Sequence, residues 1–288
     1  MNIDSHMHFW RYSRREYDWI DETLLPLRRD FLPADAAEVM RGAGMDACVA
    51  VQARQTPEET RFLLALADRH QFIAGVVGWV DLLAPDLDDR LAELSSHRKL
   101  VGLRHIVQSE RDDFLLFEDF RRGVATLERY GFAYDILVYA RQLPAAIDFA
   151  AALPGARLVL DHLGKPDIRG GGFDSWRRDV DRLAKLPHVR AKLSGLVTEA
   201  GPKAGGSGDT AAEIRRYIIA AVDSFGAERL MIGSDWPVCT MAASYGQVID
   251  LVRTAIADRP ASERAAIMGG TARTFWSLSL VPFVERSV

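Results

Sequence analysis

Cysteine is scarce: the 288 residues hold two, Cys48 and Cys239. That excludes a disulfide framework and a four-cysteine zinc site. No apolar run approaches the roughly 20 residues of a membrane-spanning helix. Neither sign of charge dominates, with 36 Lys+Arg against 40 Asp+Glu and a net charge of −4. The basic footprint of a nucleic-acid-binding protein is therefore missing. The opening Met-Asn-Ile-Asp-Ser-His run has neither the basic nor the apolar region of a signal peptide. Also missing are the G-x-S-x-G elbow of a serine hydrolase, a P-loop, and a G-x-G-x-x-G after the first apolar run. These absences predict a cytoplasmic protein with no nucleic-acid or membrane partner. The composition itself, 48% hydrophobic and 26% charged, is that of a globular chain.

What is present is an alternation. Short apolar runs, often β-branched, occur at 2–8, 46–52, 73–80, 100–106, 132–138, 157–162, 189–194 and 229–235. Between and after them lie helical patterns at 34–43, 57–70, 85–97, 117–130, 141–153, 174–186, 210–225, 243–257 and 262–275. Thr56 before Pro57, with Glu59 three residues on, marks a helix start, as does Asp209 ahead of an Ala-rich run. Apolar strands joined by helices read as parallel and buried on both faces. Eight such units predict one (β/α)8 barrel domain over residues 1–288. A doubly wound open sheet is the structural alternative, but it does not require eight units. Segment 199–209, with Gly201, Pro202, Gly205, Gly206 and Gly208, is expected to be a mobile loop after the seventh strand. The Gly cluster at 170–172 follows the sixth strand.

The carboxyl ends of the strands surround the active site of a parallel barrel. Here those ends are polar. The first carries Asp4, His6 and His8, which alternation places on one face. The others end near Gln52, Trp79 and Asp81, Arg104 and His105, Asp135, Asp161 and His162, Lys192 and Ser194, and Asp235 and Trp236. His6-x-His8 has the spacing for two imidazoles to reach one ion, and Asp235 and His162 could complete the set. No cofactor is required by this reading, or one divalent metal, zinc among the candidates. The two histidines can equally hydrogen-bond a substrate without metal. Asp235 is the carboxylate best placed to deprotonate water; the plain alternative is a turn before Trp236-Pro237. His162 is weighed against a satisfied core histidine. Arg104 and His105 are adjacent, so only one points fully inward. Arg104 serves an oxygen-rich ligand or a salt bridge with Asp81. Trp79 and Trp236 wall a pocket or simply pack. Cys48 reads as packing.

Several stretches together resemble the amidohydrolase superfamily, in its branch of sugar lactonases of the L-fuconolactonase type. They are Asp4-Ser5-His6-Met7-His8-Phe9-Trp10, Gly102-Leu103-Arg104-His105, Leu160-Asp161-His162-Leu163-Gly164-Lys165-Pro166, Lys192-Leu193-Ser194-Gly195 and Gly233-Ser234-Asp235-Trp236-Pro237-Val238-Cys239, with 108–114 and 269–272 in support. The resemblance implies a distorted barrel that hydrolyses a cyclic ester. The substrate it implies is L-fucono-lactone or an epimer such as L-galactono-lactone. It makes Asp235 the water-activating base, with His6, His8 and His162 beside it. A mononuclear ion on His6, His8 and Asp235 is optional. No Lys or Glu stands at the end of the fourth or fifth strand to bridge two metals. Arg104, His105, Gln52, Trp79, Lys192 and Trp236 are the expected substrate-binding groups. His162 or His105 would protonate the leaving alkoxide. Other reactions compatible with the same residues are hydrolysis of a carboxylated lactone and metal-dependent decarboxylation. Further inward cations beyond Arg104 and Lys192 would favour the carboxylated lactone.

Overall fold

The structure, a computed structural model, describes residues 1–201 and 208–280. Its strands are β1 (Ile3–Met7), β2 (Ala47–Val51), β3 (Ile73–Gly78), β4 (Leu100–His105), β5 (Ala133–Ile136), β6 (Arg157–Leu160), β7 (Val189–Leu193) and β8 (Leu230–Ile232). They pair in chain order, all parallel. The circle closes through a short seam. The His8 N–H donates to Trp236 O at 2.7 Å and the Asp235 N–H to His6 O at 2.9 Å. That closure excludes the open sheet. Each observed strand is shorter than its apolar run. The polar tails, such as Asp161-His162 and Ser234-Asp235, leave the ladder and build the upper face of the barrel.

Burial divides the core in two. The larger cluster lies between the barrel and its helices. The smaller fills the lower barrel with small and β-branched residues, among them Val49, Val51, Val77, Ala133 and Val159, and includes Trp276 and Leu278 from the C-terminal segment. β-Branched side chains suit a strand that is buried on both faces.

Strand β1 departs from strict alternation. Asp4 pairs with Cys48 and Met7 with Ala50, so three steps on β1 oppose two on β2. The extra residue is a bulge, which re-aims the side chains beyond it. As a result Asp4 does not share a face with His6. Its Oδ1 accepts from the His6 and Ser234 N–H groups at 3.0 and 2.9 Å, and its Oδ2 from the Tyr245 hydroxyl at 3.0 Å. Asp4 ties the seam together, and burial raises its pKa to about 6.

Two local expectations are modified. Helix α1 (Pro33–Gly42) and helix α2 (Pro57–Arg69) begin where predicted, and Thr56 Oγ1 accepts from the Glu59 N–H at 3.2 Å. The Glu59 carboxylate, however, turns to the preceding loop and accepts from the Ala53 and Arg54 N–H groups. In the 199–209 segment, Glu199 and Ala200 end a short helix (Leu196–Ala200), which Gly201 stops at φ +92°. Gly208 and Asp209 open the long helix Gly208–Phe225. Residues 202–207 of the expected loop lie outside the described residues.

Residues 8–32, between β1 and α1, form a connection far longer than the usual few residues. Reciprocal backbone hydrogen bonds between Trp10 and Phe31, at 3.0 and 2.9 Å, pin its two ends. The excursion rises over the carboxyl face of the barrel.

Candidate active site

A cavity of about 570 Å³ opens on that face, within the range of small-molecule sites. At its floor stands Asp235, in the left-handed region at φ +60°. Asp tolerates that region better than most residues, and strained backbone concentrates at functional sites. Three imidazole nitrogens converge on its Oδ1: His8 Nε2 at 3.2 Å, His6 Nε2 at 3.8 Å and His162 Nε2 at 3.9 Å.

The outer nitrogen of each ring is held from behind. His8 Nδ1 lies 2.8 Å from the Val51 carbonyl, which can only accept, so His8 carries its proton there. His162 Nδ1 is 2.9 Å from Ser194 Oγ and His6 Nδ1 is 3.4 Å from Asp161 Oδ1. Gly195, at φ +69°, is needed here, because a Cβ would sit 2.7 Å from His162 Nδ1. The three Nε2 atoms thus face one carboxylate oxygen, an arrangement that a shared proton or a cation would bridge.

Its geometry fits a metal ion. Zinc bonds of about 2.0–2.1 Å in a tetrahedron set ligand atoms about 3.3 Å apart, and the potential ligand atoms of His6, His8 and Asp235 lie within 4.8 Å of one another. Back-bonded histidines are the usual supports of such a centre. His6, Asp161 and His162 form an adjoining set.

Beneath the floor lies a closed ionic group. Lys192 Nζ is 2.5 Å from Asp135 Oδ2 and 2.9 Å from Asp161 Oδ1. Arg104 Nη1 donates to Asp161 Oδ2 at 2.9 Å and to His6 Nε2 at 3.2 Å, and Nη2 donates to the Gln52 carbonyl and side chain. The four charged side chains are almost wholly buried. Their charges balance, two of each sign.

The field follows from this packing. Burial alone pushes the Asp235 carboxyl up, but His162, His8 and His6 override it and hold it well below the usual carboxylate range. Burial lowers His162 to about 4 and drives His6 well below its ordinary value. Asp235 is therefore ionised at neutral pH, and His6 and His162 are uncharged.

The expected site residues separate into groups. Asp235, His8, His162 and Arg104 reach the cavity wall, and His6 lies just under it. Gln52 and Lys192 do not line the cavity. Both are fully buried, Gln52 bonded to Arg104 and Lys192 paired with Asp161. Arg104 pairs with Asp161, not Asp81. His105 points outward, 3.0 Å from Glu110 and stacked on Phe114, because Arg104 takes the inward face. It is not among the residues that line the cavity. Trp79 is bonded through its backbone to Thr60 and lies away from the cavity. Trp236 packs edge-on against Phe9 and Phe31. The wall instead includes Trp19, Arg54, Gln108 and Lys165. Trp19 comes from the long 8–32 excursion, whose length was the available signal. Gln108 Oε1 is buried without a partner among the described residues.

The family model described as Amidohydrolase matches residues 3–278. An L-fucono-1,5-lactonase of Burkholderia multivorans is 46% identical over 286 residues, 96% of this chain and 96% of its own length. An L-fucono-1,5-lactonase of Burkholderia ambifaria is 39% identical over 245 residues, 85% of this chain and 83% of its own. The crystal structure of an amidohydrolase from Burkholderia multivorans with bound zinc superposes with a TM-score of 0.93 at 46% identity, covering 97% of this chain and 100% of that one.

Proposed function

This chain belongs to the amidohydrolase family, and from that membership we propose that it is a lactonase that opens L-fucono-1,5-lactone, with Asp235 as the base. The observation that carries the substrate is the 46% identity, over 96% of both chains, to an enzyme named for that reaction.

The residues account for the chemistry step by step. Asp235 is ionised at the cavity floor and accepts a proton from the attacking water. His8 and His162, each held through Nδ1, turn Nε2 toward the same water beside that carboxylate. A zinc ion held by His6, His8 and Asp235 would, when bound, polarise the lactone carbonyl as a Lewis acid. Arg104, fixed by Asp161 and Gln52, donates to His6 Nε2, the lone pair that zinc would take in its place. The unpartnered Gln108 Oε1 is an acceptor for a ring hydroxyl, and Trp19 gives the ring an apolar wall.

Of the cations at or below the cavity, Lys192 and Arg104 are neutralised by Asp135 and Asp161, and Arg54 by Glu16 at 3.2 Å. Lys165 and Arg15 line it without an ion pair among the described residues. The choice of the sugar lactone over a carboxylated one therefore rests on the 46% identity and not on charge.

The test is proton release in weak buffer with L-fucono-1,5-lactone and L-galactono-lactone. Wild type acidifies the solution above the spontaneous rate. Asp235→Asn, which suits the left-handed backbone, loses roughly 10²–10⁴-fold in kcat, the usual worth of a general base, and melts within a few degrees of wild type. No acidification by wild type would sink the lactonase, and full turnover by Asp235→Asn would sink the base.

A further inference from the structure

We infer that Lys165 is a catalytic residue, whose ammonium holds the oxygen anion formed at the lactone carbonyl and then the carboxylate of the product. The inference deepens the lactonase reading above and rests on it.

The backbone is the first observation. After β6, His162, Leu163, Gly164 and Lys165 have φ of +52°, +50°, +73° and +46°. Four left-handed residues in a row are a rarity for L-amino acids. The Lys165 N–H donates to His162 O at 2.9 Å, the i to i+3 bond of a 3₁₀ turn. Side chains three apart eclipse in that geometry. The turn therefore sends His162 and Lys165 to the same side, and both line the cavity. The surroundings hold it there. Trp176 Nε1 donates to Leu163 O at 2.8 Å, and a Cβ on Gly164 would meet Leu143 at 2.7 Å. Strain this tightly enforced points to function.

The second observation is what Nζ lacks. Among the described residues no hydrogen bond or ion pair engages it, while the neighbouring cations Arg54, Arg104 and Lys192 are all paired. It stands over the Tyr139 ring, 5.3 Å from the centroid. Burial lowers its pKa, and the charges of Glu199 and Asp235 act on it without an ion pair to either. Half-buried and lining the cavity beside the base, the ammonium stands where an incoming anion can reach it.

The reaction needs such a group. Water oxygen bonds to the carbonyl carbon and its proton passes to Asp235. The carbonyl π pair moves to oxygen, giving the anion that Lys165 holds. Collapse breaks the ring C–O bond, and the leaving oxygen takes the proton from Asp235. The new carboxylic acid releases its proton to solvent, and its carboxylate occupies the same cation until it departs. A preorganised charge aimed at the developing oxyanion acts on the transition state more than on the neutral substrate.

Three full-length variants test this. Lys165→Met keeps the stem, Lys165→Asn suits the left-handed φ, and Lys165→Arg keeps the charge. On L-fucono-1,5-lactone we expect Met and Asn to lose roughly 10²–10³-fold in kcat with KM within about threefold. Arg should regain at least about tenfold. Calorimetry with L-fuconate, the ring-opened acid, should show binding to wild type and Arg, weakened at least about tenfold in Met and Asn. A change confined to KM, or kcat within about threefold of wild type in both neutral variants, overturns the inference. If wild type turns over no lactone, the lactonase reading fails and L-fuconate binding still decides: selective weakening in Met and Asn supports Lys165 as the anion holder, and equal or absent binding in all proteins overturns it.

Discussion

Replacing Lys192 by methionine isolates what the buried ionic group contributes. Methionine fills the volume of the lysine stem and removes only the charge. Wild-type Nζ contacts Asp135 Oδ2 at 2.5 Å, Asp161 Oδ1 at 2.9 Å and His6 Nδ1 at 3.2 Å, all with side chains fully buried. Without it Asp161 keeps Arg104, but Asp135 loses its cation, and Asp135 Oδ1 already has no hydrogen-bond partner among the described residues. Removing one partner of a buried pair costs about 3–5 kcal/mol. That is a large part of a total stability of about 5–15 kcal/mol and lowers Tm by roughly 6–20 °C. The stranded carboxylate escapes by taking up a proton. Burial already raises the Asp135 pKa against the pull of Lys192, and the variant removes that pull. The folded variant then binds more protons than its unfolded chain above about pH 4, the unfolded carboxylate value, so stability falls as pH rises. Thermal melts at pH 5 and pH 8 should show a larger deficit at pH 8. Adding Asp135→Asn should recover most of it. A Lys192→Met loss below about 1 kcal/mol at pH 8, or an equal loss at both pH values with no rescue by Asp135→Asn, would refute the reasoning.

Burial raises Glu59 to about 7 from its ordinary 4.5, so it opposes stability increasingly as pH rises through that window. Glu59→Gln can still accept from the Ala53 and Arg54 N–H groups and can donate to the Tyr17 hydroxyl, which now donates to Glu59 at 3.2 Å. Melts between pH 5 and pH 8 should therefore be flatter in Glu59→Gln than in wild type; an unchanged slope would remove Glu59 as its source. Zinc added to metal-stripped protein should bind one equivalent per chain and raise Tm, with about 2.7 kcal/mol of stabilisation at a hundredfold excess over Kd. His8→Ala should abolish that rise, and a rise surviving in His8→Ala would place the ion elsewhere.

The strands were legible because each is a short apolar run, buried on both faces and cut off by polar residues. The helices between them follow from 3.6-residue periodicity and from starts such as Thr56-Pro57. Asp235, His8 and His162 were legible because they sit where apolar runs stop, and in a parallel barrel that position is the active face. Which tail residues touch the cavity was not. Lys192 and Gln52 stop their runs in the same way as His162, yet they point beneath the floor and are consumed by Asp135, Asp161 and Arg104. His105 turns outward because alternation gives the inward place to Arg104. Asp4 leaves the face of His6 because a bulge adds one residue to β1.

The sequence by itself determined the eightfold repeat, the parallel barrel and the chemical types gathered at one end, because hydrophobic periodicity and strand termini are local properties of the chain. Only the tertiary structure decided which of those polar groups are free. Charge pairing between β4, β5, β6 and β7, the left-handed turn that aims Lys165, and the descent of Trp19 onto the cavity depend on contacts between residues far apart in the chain. No local pattern encodes whether a buried charge already has its partner.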